Sequence, residues 1–359
     1  MSQPIRYEPD YVTRPGEVLE EYLAVSGMTK AELASRCGRP TKTISEIIHG
    51  KAAITAETAI QLGRVFGRPA SLWQNLEANY RLRLAEREEH GKLAQHAVWA
   101  KKFPVKAMVD AGCMERPTDD ADLVTKMLRF FGVGSVAGWE SRFRDLGIAY
   151  RRSRSFMAAP EAVAAWLRRG EIHAAEVDCK PFDRDAFSSA LDGARRLTRG
   201  SFPEVHSQLR QLCASGGVAL VFVPELPKTH LSGAARWLTK DKALIQLSLR
   251  HKTNDHVWFS FFHEAGHILL HGKKAVFIDE SGGDRTDIED EANKFASEWL
   301  IPPGPYATFA RSTFFSAALV KAFAEKQGVA PGIVVGRLQH DGLIQHSHLN
   351  ALKELLAWG

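Results

Sequence analysis

The sequence predicts a mostly helical α+β chain, with a five-helix N-terminal domain, a helical middle region and a C-terminal domain in which a small antiparallel sheet precedes a metal-binding helix. Three observations carry this expectation. Residues 15 to 85 break into about five short stretches of helical period, separated by Gly, Pro and N-capping residues. From Gly217 the apolar period shortens to two, as in half-buried strands. Directly afterwards, DHVWFSFFHEAGHILLHG (Asp255 to Gly272) combines a helix-forming pattern with two histidines and a glutamate at metal-site spacing.

At 359 residues and 45% hydrophobic composition the chain can bury an ample core, and the breaks in pattern suggest domains at 1–90, 91–200 and 201–359. No apolar run approaches the ~18 residues of a membrane span, and MSQPIRYEPDYVTRPGE lacks the basic start and apolar core of a signal peptide. A cytoplasmic location and no membrane partner are therefore expected. Cys37, Cys113, Cys179 and Cys213 are scattered without a CxxC pair, which argues against a disulfide framework and against a cysteine zinc site.

In the N-terminal domain, Val18, Leu19, Tyr22 and Leu23 mark a first helix. Thr29, with Glu32 completing a capping box, starts a second that runs to Arg36. A turn at Cys37 and Gly38 leads to PTKTISEIIHGK, where Ile44, Ile47 and Ile48 face inward and Gly50 ends the helix, which is helix-turn-helix spacing. Through PGEVLEEYL, ISEIIHGK and LWQNLEANYRLRL the segment resembles lambda-repressor-type domains of the XRE class, in particular HigA-type antitoxins. On duplex DNA, Thr41, Lys42, Thr43 and Ser45 would face the major groove while Arg39 and Lys51 met phosphates. Residues 1 to 90 hold 12 basic and 12 acidic side chains, however, so the domain lacks a basic footprint. A module for homodimerisation or for gripping a partner protein is the alternative.

The formal charge of +5 belongs to the middle region, where residues 91 to 203 hold 19 basic and 14 acidic side chains. Arg151, Arg152, Arg154, Arg168 and Arg169 stand near Tyr150, Phe156 and Trp166, a composition that suits a groove for single-stranded nucleic acid and equally suits a solvated helix face. Cys113, in DAGCMERP, is a candidate inhibitory thiol that would occupy the metal's open position; a plain loop cysteine is the alternative. Beyond Gly217, VALVFVPEL, GAARWLT and KALIQLSLR read as three antiparallel strands, with Lys242 to Leu249 as the edge to which a peptide could add.

On the helix that follows, His263 and His267 stand four residues apart and so rise on one face, close enough to share a zinc ion. Glu264 beside them is placed to shuttle protons as a general base. Gly266 inside a helix costs about 1 kcal/mol relative to Ala, which is easier to understand if something must approach closely. Catalytic zinc usually takes three protein ligands. Leu270 and Lys273 stand where HExxHxxGxxH would need glycine and histidine, so the third must come from elsewhere. TDIEDEANKFASEWLIPP (Thr286 to Pro303) is a second amphipathic helix, with Ile288, Ala292, Phe295, Ala296 and Trp299 as its apolar stripe. Glu289 lies nearer that stripe than Glu291 and is the favoured ligand; Asn293, one turn on, could orient a ligand histidine. A capping box with Thr286 explains Glu289 without a metal, and His271 is an alternative ligand.

At HEAGHILLH, followed by E-x-E-A-N-x-F-A (Glu289 to Ala296) and Leu-Ile-Pro (Leu300 to Pro302), the chain resembles the ImmA/IrrE family of bacterial metallopeptidases. That resemblance implies one Zn²⁺ per chain on His263, His267 and Glu289, with Glu264 as base, in an endopeptidase that cuts an XRE-family transcriptional repressor and so releases a stress or defence operon. Trp299 departs from it, because a smaller aliphatic residue is expected there. The fusion to a helix-turn-helix domain is similar to the CapP type found in antiphage (CBASS) operons, for which single-stranded DNA would be the signal. The competing expectation is a DNA-binding autoregulator or antitoxin whose metal site is structural or inactive.

Overall fold

In the computed structural model, the described residues are 13–143, 159–248, 250, 252–271, 277–280 and 287–356. They fall into two compact units, one reaching to Ala97 and including Thr118–Val124, the other comprising Val98–Pro117 and the chain from Thr125.

The first unit contains α1 (Pro15–Ser26), α2 (Lys30–Arg36), α3 (Thr41–Ile48), α4 (Ala56–Phe66) and α5 (Ala70–Leu93). Its core holds Leu19, Leu23, Leu33, Ile44, Ile47, Ile48, Leu62 and Trp73, the inward positions that the helical period selects. Thr29 caps α2 by accepting from the Glu32 backbone N–H at 3.1 Å. The Glu32 side chain turns to Arg36 instead of closing the box. After Cys37, Gly38 takes φ +61°, a left-handed conformation that glycine adopts freely, and so redirects the chain into α3.

The second unit is built on a four-stranded sheet. Beyond a helix at Val105–Asp110 and the part of a helix, Asp120–Phe131, that follows Val124, the chain forms α6 (Pro160–Ala175), α7 (Arg184–Leu197), α8 (Phe202–Ser215), β1 (Val218–Phe222), β2 (Leu231–Thr239) and β3 (Lys242–Leu247). It continues through α9 (Asn254–Leu270), β4 (Phe277–Glu280), α10 (Asp287–Leu300), α11 (Pro303–Phe309), α12 (Ala317–Gln327) and α13 (Pro331–His340). Strand order is β1-β3-β2-β4. The expected meander is therefore corrected: β3 lies parallel to β1, and the sheet is mixed. Eight residues separate β1 from β2, enough for the β2–β3 hairpin to fold back and insert β3 beside β1. Lys242 to Leu249, expected as an edge, is thus an interior strand as far as Leu247, and the edges are β1 and β4.

The period of two sorts side chains onto both faces of this sheet. Val218, Leu220, Ala235, Ala243, Ile245 and Leu247 join Phe261, Phe262, Ala265 and Ile268 of α9 and Phe187, Leu191 and Leu209 of α7 and α8 in the main core. The opposite face meets α6, where Gln246 donates to the Trp166 carbonyl at 2.7 Å, Trp166 donates to the Val223 carbonyl at 3.0 Å, and Arg236 bonds to the Leu167 carbonyl. Because α9 is covered by the sheet, α10 and α13, it is buried nearly all round.

Asn254 and Asp255, the first two residues of α9, bind the C-terminal segment, and the cap position is Thr253. Asn254 accepts from the Glu354 N–H at 3.2 Å, and Asp255 forms a buried pair with Lys353 at 2.6 Å. On α10, Ala292 and Ala296 are buried, but Ile288 is 42% exposed, because it sits in the first turn beyond the reach of α9. Trp299 packs at the core margin against Phe295, with ring centres 4.9 Å apart.

Candidate metal centre

Helices α9 and α10 pack closely, and the glycine in α9 explains how. A Cβ at Gly266 would lie 3.1 Å from the Phe295 ring and 3.4 Å from the Ala292 Cα, so Gly266 lets α10 approach. That approach sets Glu289 over the α9 histidines. The Nε2 atoms of His263 and His267 are 3.0 Å apart. Glu289 Oε2 lies 3.2 Å from His263 Nε2, and Oε1 lies 3.5 Å from His267 Nε2. Among the described residues these three form the one group of metal-ligating side chains whose donor atoms all fall within 4.8 Å. Two buried, neutral-capable nitrogens and a half-buried carboxylate, converging, are a donor set that fits Zn²⁺.

Electrostatics agrees with that chemistry. Burial pushes the Glu289 carboxyl up, but hydrogen bonds to His263 and His267 outweigh it and hold the group at about 2. Burial pushes the His267 imidazole down, which favours the neutral ring that coordinates metal.

The outer nitrogens are also engaged. His263 Nδ1 lies 3.0 Å from Asn293 Oδ1, the place proposed for Asn293 from helical spacing. His271 stands outside this group: its Nδ1 lies 3.1 Å from His267 Nδ1 and its Nε2 lies 3.2 Å from Glu291 Oε2. The helix stops at Leu270, and the extended backbone of His271 (φ −110°, ψ 161°) carries its ring behind His267. Glu291, the disfavoured ligand, therefore serves His271.

Glu264 is completely buried and faces β2, where a Cβ on Gly233 would fall 2.6 Å from its Oε1. The sequence reading missed Gly233, although a glycine inside a strand run often marks such a close approach. A cavity of about 440 Å³ adjoins Asn293 and Phe259 and is walled by Lys294, Ile301, Tyr306 and Arg337.

Comparison with known proteins matches residues 221–338 to the IrrE N-terminal-like domain and residues 19–73 to the helix-turn-helix family. The chain joins a helix-turn-helix domain to an IrrE-type peptidase domain. Virulence-associated protein I of Dichelobacter nodosus is 40% identical over 76 residues, which is 21% of this chain and 70% of that protein. The uncharacterized HTH-type transcriptional regulator YddM of Escherichia coli is 35% identical over 74 residues, 21% of this chain and 79% of its own length. Among solved structures, the Pseudomonas aeruginosa antitoxin HigA with the higBA promoter shares 33% identity, covering 24% of this chain and 94% of that one, with a TM-score of 0.23.

In the helix-turn-helix domain, Thr41 and Lys42 are exposed on α3, Thr43 and Ser45 are half-buried, and Lys51 is exposed just beyond it. Arg39 differs from its expected role. Its guanidinium is held on α4 by Glu57 at 2.6 Å and Gln61 at 2.8 Å, so it braces the turn instead of projecting towards a phosphate.

Of the arginine cluster, Arg151, Arg152 and Arg154 lie outside the described residues. Arg168 is committed to Glu171 at 2.5 Å and to the Phe130 carbonyl at 2.9 Å, and Arg169 donates to the Pro224 carbonyl at 3.3 Å. Those bonds give both arginines structural partners on and around α6. Cys113 is half-buried; burial pushes its thiol up while Arg169 opposes this, and it is not in the His263, His267 and Glu289 cluster. The expected inhibitory contact is therefore absent among the described residues. No described helix is long and apolar enough to cross a membrane.

Proposed function

We propose that the protein is a zinc-dependent endopeptidase that cleaves an XRE-family transcriptional repressor and thereby releases a stress or defence operon. The observation that carries this reading is the convergence of His263, His267 and Glu289 on one point, with the buried Glu264 next to the first of them. A bound zinc ion would supply Lewis acidity, making water acidic near neutral pH and polarising the scissile carbonyl.

The chain's own residues do the rest. Glu264 takes a proton from the attacking water and returns it to the amide nitrogen as the C–N bond breaks, so a carboxylic acid and an amine leave and the base is restored. Asn293 accepts the His263 Nδ1–H and leaves Nε2 directed inward. The cavity walled by Phe259 and Ile301 reaches the cluster only through Asn293, so it is a candidate for a part of the substrate away from the cleaved bond.

The helix-turn-helix domain binds operator duplex in this proposal, with Lys42 and Lys51 on phosphates and Thr41, Thr43 and Ser45 towards base edges. Stimulation by single-stranded DNA rests on Arg151, Arg152 and Arg154, since Arg168 and Arg169 have structural partners. A second reading, a DNA-binding autoregulator with a structural metal, is favoured by the likeness of about a fifth of the chain to a transcriptional regulator.

Glu264 separates the two, because a structural site needs no carboxylate beside its ligands. The test mixes the full chain with the repressor encoded beside its gene, with and without single-stranded DNA. Glu264→Gln should retain about one zinc per chain and yield no fragment, while the wild type cuts; equal cleavage by both forms would exclude the peptidase mechanism.

A further inference from the structure

The metal-centre reading rests on three ligands, yet the hydrogen bonds behind His267 continue through two more side chains. His267 Nδ1 lies 3.1 Å from His271 Nδ1, and His271 Nε2 lies 3.2 Å from Glu291 Oε2. Both imidazoles are enclosed: the His267 side chain is fully buried and that of His271 is 8% exposed, while Glu291 reaches out at 64%.

A proton count decides how these contacts can run. If His267 coordinates through Nε2, its remaining proton is on Nδ1, where it can only donate. His271 Nδ1 must then be the acceptor, which places the His271 proton on Nε2, pointing at the Glu291 carboxylate. One assignment satisfies every nitrogen, and it is the one a metal at Nε2 would impose. On the other histidine, the His263 Nδ1–H meets Asn293 Oδ1 at 3.0 Å. Each ligand ring is thus oriented from behind by its own partner, the first by a neutral amide and the second by a histidine backed by a carboxylate.

We propose that His271 and Glu291 are positioning residues for the metal, forming a carboxylate–histidine–histidine relay that fixes the tautomer and tilt of His267. This rests on the reading of His263, His267 and Glu289 as ligands. The relay also accounts for the abrupt end of α9. Had the helix continued through residue 271, the side chain would follow the helix surface; the extended backbone there swings the ring in behind His267. Carboxylate and carbonyl partners of ligand histidines commonly matter by about 10–100-fold in metal affinity.

The experiment measures zinc affinity of the full-length protein by competition with a chromophoric chelator, and the absorption spectrum of the Co²⁺-loaded form. His271→Phe should weaken zinc about 10–100-fold and alter the Co²⁺ bands, with a melting curve close to wild type. In His271→Asn, Oδ1 takes the place of Nδ1 as acceptor, so most of the affinity should return. Glu291→Ala should weaken zinc roughly 2–5-fold in the wild-type background and have no effect in the His271→Asn background, because Asn cannot pass the bond on to residue 291. That cycle remains decisive if His271→Phe fails to fold. The relay is overturned if His271→Phe binds zinc within about twofold of wild type, if Asn does no better than Phe, or if Glu291→Ala has the same effect in both backgrounds. A wild-type protein that binds no zinc would instead refute the ligand assignment itself.

Discussion

Gly233→Ala gives the sharpest test of how the sheet places Glu264, the general base of the proposed mechanism. An added Cβ would stand 2.6 Å from Glu264 Oε1, 2.9 Å from its Cγ and 3.1 Å from its Cδ, where ordinary contact begins at 3.4 Å. The required shift at Oε1 is therefore 3.4 − 2.6 = 0.8 Å. β2 supplies little of it, because Gly233 is paired with Leu247 of β3. The carboxylate must move instead. A displacement approaching 1 Å at a reacting group costs on the order of 10²-fold, so kcat/KM for repressor cleavage should fall roughly 30–100-fold, most of it in kcat. Overpacking should destabilise the domain by about 1–3 kcal/mol. Zinc content should stay at wild-type level, since the ligands lie on the α9–α10 side. Cleavage kinetics with metal analysis on the same preparation provide the assay. Wild-type kcat/KM in a folded Gly233→Ala protein would refute the placement of Glu264 against β2, and loss of zinc would show that the variant perturbs the ligands instead.

Glu289→Ala should lose stoichiometric zinc together with cleavage, and chelation of the wild type should do the same reversibly, as read by metal analysis and fragment yield. Arg39→Ala should lower the melting temperature of the helix-turn-helix domain, because it severs the links to Glu57 and Gln61, whereas Lys42→Ala should leave the melt unchanged and reduce the salt dependence of operator binding by about one phosphate contact. An equal effect of both on the melt would contradict the bracing role. At Asp341, burial raises the carboxyl, but hydrogen bonds from Tyr306, His340 and Arg337 prevail and hold it below its ordinary 3.8. A depressed folded pKa means that its stabilisation is complete above about pH 4 and is lost as the pH falls through the folded value. Asp341→Asn should therefore melt earlier at neutral pH and lose less on acidification; parallel acid limbs would count against the assignment.

What the sequence disclosed, and what it did not, follows the range of the interactions involved. His263, Glu264 and His267 are separated by at most one helical turn, so the period alone sets their geometry. Glu289 and Asn293 needed one further step, because they share a helix face with Ala292 and Ala296, whose burial is itself periodic. Strand order has no such local signature. The alternation in KALIQLSLR announces a strand but is silent on its neighbours, so β3 could be taken for an edge when the hairpin carries it inside. The structural partner of Arg168 is legible more locally: Glu171 stands only three residues on in RRGE, the spacing of an i,i+3 ion pair.

The case of His271 and Glu291 is more general. Each was weighed as a rival for the third ligand position, and ranking rivals assumes that only one role exists. A buried imidazole ligand has two nitrogens to satisfy, so a site that binds metal at Nε2 creates a second demand at Nδ1. Asn293 and the His271–Glu291 pair meet that demand on the two ligand rings. Surplus donors and acceptors around a HExxH helix should accordingly be assigned to the outer nitrogens before they are discarded.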